Sequence, residues 1–223
     1  MFQMHAHTPP GASRQSDQAH SWHLLRLAAI LLFAAAASGC QAHIPASTPI
    51  DASVQTNQPR AYADLCRRHA SLCDLPAKAA GRDRVMLDDK TFAVLDEVNY
   101  AVNRAISYRS DREVYGRSDF WTVARPGEAG DCEDFALAKL ERLLARGFPR
   151  EAMRLAVVYR PRDGIRHAVL TVDTDRGTYV LDSSYSHVMA WSDLPYTNWA
   201  RERPGRQRWD VLIGAEARRA SLR

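Results

Sequence analysis

The apolar spacing of this chain changes period once, and that change fixes the class of fold open to it. Phe92, Leu95, Val98, Val102, Ala105 and Ile106 recur at steps of three and four, the signature of one helical face. Asp88 or Asp89 stands where such a helix needs its N-cap. Phe135, Leu137, Ala138, Leu140, Leu143 and Leu144 make a second face, which Gly147 would end. Asp131 precedes it as an N-cap, and Asp134 sits three positions on, as in a capping box with Asp in place of Glu. The runs then shorten to strand length: 155–159, 167–172 and 179–182, separated by Pro161-Arg162-Asp163-Gly164 and by Asp173-Thr174-Asp175-Arg176-Gly177. Residues 209–213 read as a further, edge strand. Residues 108–121 carry no period and read as an ordered loop. Helices followed by an antiparallel sheet predict an α+β fold with Cys132 in the first turn of the helix that packs on the sheet.

Length and charge narrow the function. The 223 residues suit one domain with extensions. The 30 basic and 26 acidic residues are interspersed, and no basic stripe forms, which argues against a nucleic-acid partner. Lys78, Lys90 and Lys139 are the only lysines, and every other basic residue is Arg. Four cysteines are too few to replace an apolar core with disulfides.

Residues 27–37 form an uncharged apolar run behind Arg14 and Arg26, too short to span a bilayer and fitting a secretory signal. Ala37-Ser38-Gly39-Cys40 resembles a bacterial lipoprotein box. Cys40 is then the lipidated first residue of the mature chain; ordinary cleavage among the alanines is the alternative. We divide the chain into a signal peptide at 1–39, a flexible polar tether at 40–60 and a folded domain at 61–223. Either cleavage sends the domain out of the cytoplasm, into the periplasm, where disulfides persist. Cys66 and Cys73, seven residues apart, are expected to pair there. Zinc shared with His69 would lack a fourth ligand.

Chemistry concentrates on Cys132, His167 and Asp182. A helix start offers unpaired N–H groups and a positive dipole end, which favour a thiolate. Asp131, Glu133 and Asp134 oppose that unless they are turned away or neutralised. A turn centred on Asp175 and Arg176 places His167, Val169 and Asp182 on one sheet face, with His167 and Asp182 diagonal neighbours. That supplies a base with an orienting carboxylate, against whose face the helix would have to set Cys132.

Residues 66–199 resemble the bacterial transglutaminase-like cysteine peptidases, of papain-like fold. The resemblance runs through Cys66 and Cys73, Asn99 and Asn103, Tyr108-Arg109-Ser110-Asp111, Tyr115-Gly116, Asp119-Phe120-Trp121, Gly130-Asp131-Cys132-Glu133-Asp134-Phe135-Ala136, His167-Ala168-Val169-Leu170 and Tyr179-Val180-Leu181-Asp182. Ser183 stands where many members have Asn. The resemblance implies Cys132 as nucleophile, His167 as general base and acid, and Asp182 as orienter. It implies calcium held by Asp131 and Glu133, with Asp134 as a further ligand, and a hard cation would cancel the acidic charge beside the thiolate. By analogy with related transglutaminases, Trp121 is a candidate for the oxyanion site, beside the backbone N–H of Cys132. LapG-type members are periplasmic calcium-dependent proteases that clip a large surface adhesin and release cells from a biofilm, and an inner-membrane cyclic-di-GMP receptor can sequester them. The alternatives are a protein-crosslinking or amide-transferring transglutaminase and a non-catalytic periplasmic binding module.

Overall fold

The computed structural model describes residues 43–50, 53–75, 83–205 and 208–212. The signal at 1–39 and Cys40 lie outside them. In chain order the elements are β1 (Ser53–Thr56), α1 (Arg60–Arg68), α2 (Asp89–Ala105), β2 (Ser107–Tyr108), α3 (Asp111–Tyr115), β3 (Ala129–Gly130), α4 (Cys132–Ala145), β4 (Met153–Arg160), β5 (Ile165–Thr174), β6 (Gly177–Leu181), β7 (Met189–Ala190), β8 (Thr197–Arg203) and β9 (Arg208–Leu212). The fold is α+β. Its antiparallel sheet runs β1-β9-β8-β4-β5-β6-β7, and β2 and β3 form a separate parallel pair.

The two long helices start at the expected residues, α2 behind Asp88 and α4 behind Asp131, but only the first has a side-chain cap. The Asp88 side chain accepts from Thr91 N at 2.7 Å and caps α2. The chain after α2 holds more than a loop: Ser110 and Glu113 form a capping box that opens the short α3. The β5–β6 hairpin has the expected register, with Leu170 opposite Leu181 and Val172 opposite Tyr179.

Alternation along β4, β5 and β6 sends side chains into two cores. Leu155, Val157, Ala168, Leu170, Val172, Tyr179 and Leu181 pack with the helices. Ala156, Val158, Val169 and Val180 pack on the opposite side against Trp191, Leu194, Tyr196 and Trp199. Buried on both faces, the central strands lack the polar alternation of a half-exposed sheet.

Two expectations are corrected here. The segment 209–213 was expected at an edge, but β9 lies between β8 and β1, and β1 takes the edge. The tether assigned to 40–60 is therefore partly structure. Residues 53–56 form β1, and residues 43–50 lie along β6, where Thr178 N donates to Thr48 O at 3.0 Å and Tyr179 Oη to Pro45 O at 2.7 Å. Gly177 makes that approach feasible: at φ +118° it leaves room where a Cβ would stand 2.6 Å from the Ser47 carbonyl carbon. Polar composition concealed this because much of the hold runs through backbone carbonyls, with Ser47 Oγ donating to Thr178 O at 2.6 Å and only Ile44 and Ile50 packing on the cores.

Candidate active site

Cys66 and Cys73 are joined by a disulfide. Cys132 is free and half-buried at the first residue of α4. It lines a cleft of about 590 Å³ together with His167, Ala168, Trp121, Asp131, Glu133 and Arg160.

His167 Nε2 lies 2.7 Å from Asp182 Oδ1, and both residues are buried. The Asp182 carboxylate also accepts from Ser184 N at 2.7 Å and from the Tyr196 hydroxyl. Burial alone would raise its pKa, but the bond from His167 and these further donors hold it below the usual carboxylate range. On the α2 side, Asn103 Nδ2 donates to Asp182 O and Tyr185 O, each at 2.9 Å, and Asn99 Nδ2 donates to Tyr185 O at 2.8 Å. Two asparagines thus fix the backbone that carries the carboxylate.

The helix does not cover the face that His167 shares with Val169. That side packs against Tyr196, whose ring meets the imidazole edge-on at 5.7 Å. Helix α4 packs on the opposite face, beside Ala168 and Leu170. Cys132 and His167 reach the same cleft at the end of the sheet instead of meeting across one face.

Asp131, Glu133 and Asp134 are not isolated capping groups. Asp131 makes no side-chain capping bond to a backbone N–H of its helix. One of its oxygens accepts from Asp111 N at 3.1 Å, while Asp134 Oδ1 accepts from Thr122 N at 2.9 Å. Ligand oxygens of Asp111, Asp131 and Asp134 lie within 4.8 Å of one another, as do those of Asp111, Asp119 and Glu133. Asp111 Oδ1, Asp131 Oδ1 and Asp134 Oδ2 are buried without a hydrogen-bond partner. Burial and the charge of Asp131 push Glu133 up to about 10 and Asp134 up to about 8. Asp111 and Asp119 are raised as well, burial first. Crowded carboxylates that cannot all ionise, several with an orphaned oxygen, suit a hard divalent cation. The spacing around Cys132 predicts three of the acids. Asp111 and Asp119, brought in from the chain after α2, were quoted only as part of a resemblance and given no role.

The same crowding acts on the nucleophile. Burial and the neighbouring Glu133 raise the Cys132 thiol well above its ordinary value, against an opposing hydrogen bond from the Ala168 backbone. Trp121 lines the cleft, but its indole N–H donates to Asp119 Oδ1 at 2.9 Å. Its ring packs edge-on against Tyr62 and Trp209. The indole N–H is thus held by the acidic loop and the ring by the core, while Trp121 borders the cleft that Cys132 lines.

A thiol at a helix start, sharing a cleft with an imidazole–carboxylate pair, is the layout of a cysteine-nucleophile enzyme. The profile of the bacterial transglutaminase-like cysteine proteinases matches residues 52–217, and the chain belongs to that family of cysteine peptidases. Among solved structures it is similar to Legionella pneumophila LapG, calcium-bound, with a TM-score of 0.43 and 23% identity over 67% of this chain and 78% of that one. It is similar also to the EGTA-treated form of that protein, at 0.42 and 24%, over 66% and 75%. No curated protein sequence matches.

Proposed function

We propose that this cysteine peptidase is exported and hydrolyses a backbone amide with Cys132, His167 and Asp182. The observation that carries the reading is the 2.7 Å contact between His167 Nε2 and Asp182 beside the cleft that Cys132 lines. With Nε2 donating to Asp182, Nδ1 is left to take the thiol proton. Sulfur then attacks the carbonyl carbon. The C–N bond breaks as the imidazolium gives its proton to the leaving amine, and a thioester remains. His167 next takes a proton from water, which attacks the thioester and releases a carboxylic acid and the thiol. The backbone N–H of Cys132, at a helix start without an intrahelical partner, is the donor suited to the oxyanion.

Asp111, Asp131 and Asp134 would hold calcium, with Glu133 and Asp119 adjoining. Bound calcium supplies positive charge where carboxylates crowd the thiol. The substrate in this reading is a large surface adhesin met in the periplasm, and its cleavage releases cells from a biofilm. An inner-membrane cyclic-di-GMP receptor would restrain the enzyme, and a lipid on Cys40 would hold it at a membrane. Family membership and the N-terminal pattern support these steps.

The test is turnover of an adhesin N-terminal fragment by Cys132→Ala, His167→Ala and Asp182→Asn. Cys132→Ala should lose at least about 10³-fold with its fold retained. Full activity in that variant sinks the mechanism, and crosslinking of a lysine amine in place of cleavage would make the enzyme a transglutaminase.

A further inference from the structure

A run of side-chain contacts joins the β4–β5 turn to the catalytic pair. Gly164 N donates to Arg160 O at 3.0 Å and closes the turn, which folds Asp163 back on Arg160. Arg160 Nε donates to Asp163 Oδ1 at 3.0 Å, and Nη2 lies 2.7 Å from Asp163 Oδ2. Two parallel contacts fix the plane of a guanidinium as one cannot. The remaining nitrogen, Nη1, donates to Ser184 Oγ at 2.9 Å.

Ser184 touches both catalytic groups. Its backbone N–H donates at 2.7 Å to Asp182 Oδ1, the oxygen that also lies 2.7 Å from His167 Nε2. Its Oγ stands 3.4 Å from the same Nε2. Strand register brings Arg160 there: Val158 is opposite His167, and Arg160, two residues on, keeps to the face that carries the imidazole. Arg160 lines the cleft, and Asp163 is not among the lining residues.

Asn99 and Asn103 already hold the backbone from Asp182 to Tyr185, so what the Arg160 bond adds is the placement of one hydroxyl. At 3.4 Å that hydroxyl is a weak acceptor for the Nε2 proton beside a carboxylate at 2.7 Å. Freed from Arg160, a small rotation about χ1 would let it close on Nε2, share the proton and turn the ring away from Asp182.

We propose that Arg160 is a positioning residue for His167: braced by Asp163, it holds the Ser184 hydroxyl off Nε2, so that the Nε2 proton belongs to Asp182 and the ring keeps the orientation in which Nδ1 serves the thiol. The inference rests on the triad reading above.

Two readouts on the full mature chain need no substrate. One is the NMR resonance of the His167 Nε2 proton, whose downfield shift reports its bond to the carboxylate. The other is the rate of Cys132 alkylation by iodoacetamide in calcium. Arg160→Met should move the resonance upfield and slow alkylation about fivefold, the scale of one hydrogen bond. Asp163→Asn, a change at the exposed turn, should move both the same way by less. In a Ser184→Ala background, Arg160→Met should change neither readout further. Unmoved readouts in folded Arg160→Met and Asp163→Asn, with or without a fall in melting temperature, overturn the proposal. An Arg160→Met effect of the same size in the Ser184→Ala background overturns it too, because the hydroxyl is then not the intermediary. Alkylation in His167→Ala separates the two readings: if it proceeds as in wild type, the triad reading fails whatever the Arg160 variants do.

Discussion

Glu133 Oε2 lies 3.1 Å from Cys132 Sγ, so the nucleophile and an adjacent carboxyl hold a proton between them. Both are raised, and ionising either puts a negative charge against the other. A cation among the acids lets Glu133 ionise and favours the thiolate too. Alkylation of Cys132 by iodoacetamide at neutral pH should therefore speed up about tenfold when calcium replaces EGTA. Glu133→Gln should begin near the wild-type EGTA rate and lose most of the response. Equal wild-type rates in calcium and EGTA would remove calcium from the activation of the thiol.

The same carboxyls set how stability depends on pH. Asp134 is held up to about 8 and Glu133 to about 10. Between the ordinary carboxylate range and those values the folded chain keeps protons that the unfolded chain has released. Stability then falls as pH rises through that window. In EGTA the melting temperature should drop by roughly 5 °C from pH 5 to pH 8. Calcium should restore it, and by more at pH 8 than at pH 5. A flat EGTA profile would mean the acids are ionised without a cation.

Gly130 is where the acidic cluster tolerates no side chain. A Cβ there would stand 2.6 Å from Asp134 Oδ2 and 2.8 Å from Asp134 Cβ. Gly130→Ala must push Asp134 out of the group it forms with Asp111 and Asp131. The variant should lose about 2 kcal/mol of stability in EGTA and most of the calcium-induced rise in melting temperature. An undiminished rise would show that Asp134 is not a ligand.

The features legible in the sequence were local ones. Asp88 capping α2, the Leu170–Leu181 register and the Cys66–Cys73 bridge each follow from neighbours or from a single turn. What escaped depends on partners distant in the chain. Strand β8, which no apolar period announces, contains Arg201 and Glu202, and both are buried. Arg201 pairs with Asp173 at 2.8 Å and Glu202 with Arg150 at 2.9 Å, contacts that spacing does not reveal. The same holds at the site. The acids beside Cys132 were visible, while Asp111 enters through a bond from its backbone N–H to Asp131, twenty positions away.

The disulfide reaches the acidic cluster through Arg68. That side chain lies between Cys66 and Cys73 in sequence, donates to Trp121 O at 2.6 Å, and stacks over the Phe120 ring at 4.3 Å. It grips a loop whose next contacts are with the acids: Phe120 N donates to Asp111, and Thr122 N to Asp134 Oδ1 at 2.9 Å. Reducing the bridge should cost about 2 kcal/mol, the scale for so short a loop. It should also weaken calcium binding measured by calorimetry, because the loop that aims two backbone donors at the ligands loses its anchor. Arg68→Ala with the bridge intact should reproduce the loss of affinity with a smaller loss of stability. If reduction lowers the melting temperature while Arg68→Ala and the reduced protein bind calcium as tightly as wild type, the bridge stabilises only its own hairpin and the acidic cluster is ordered without it.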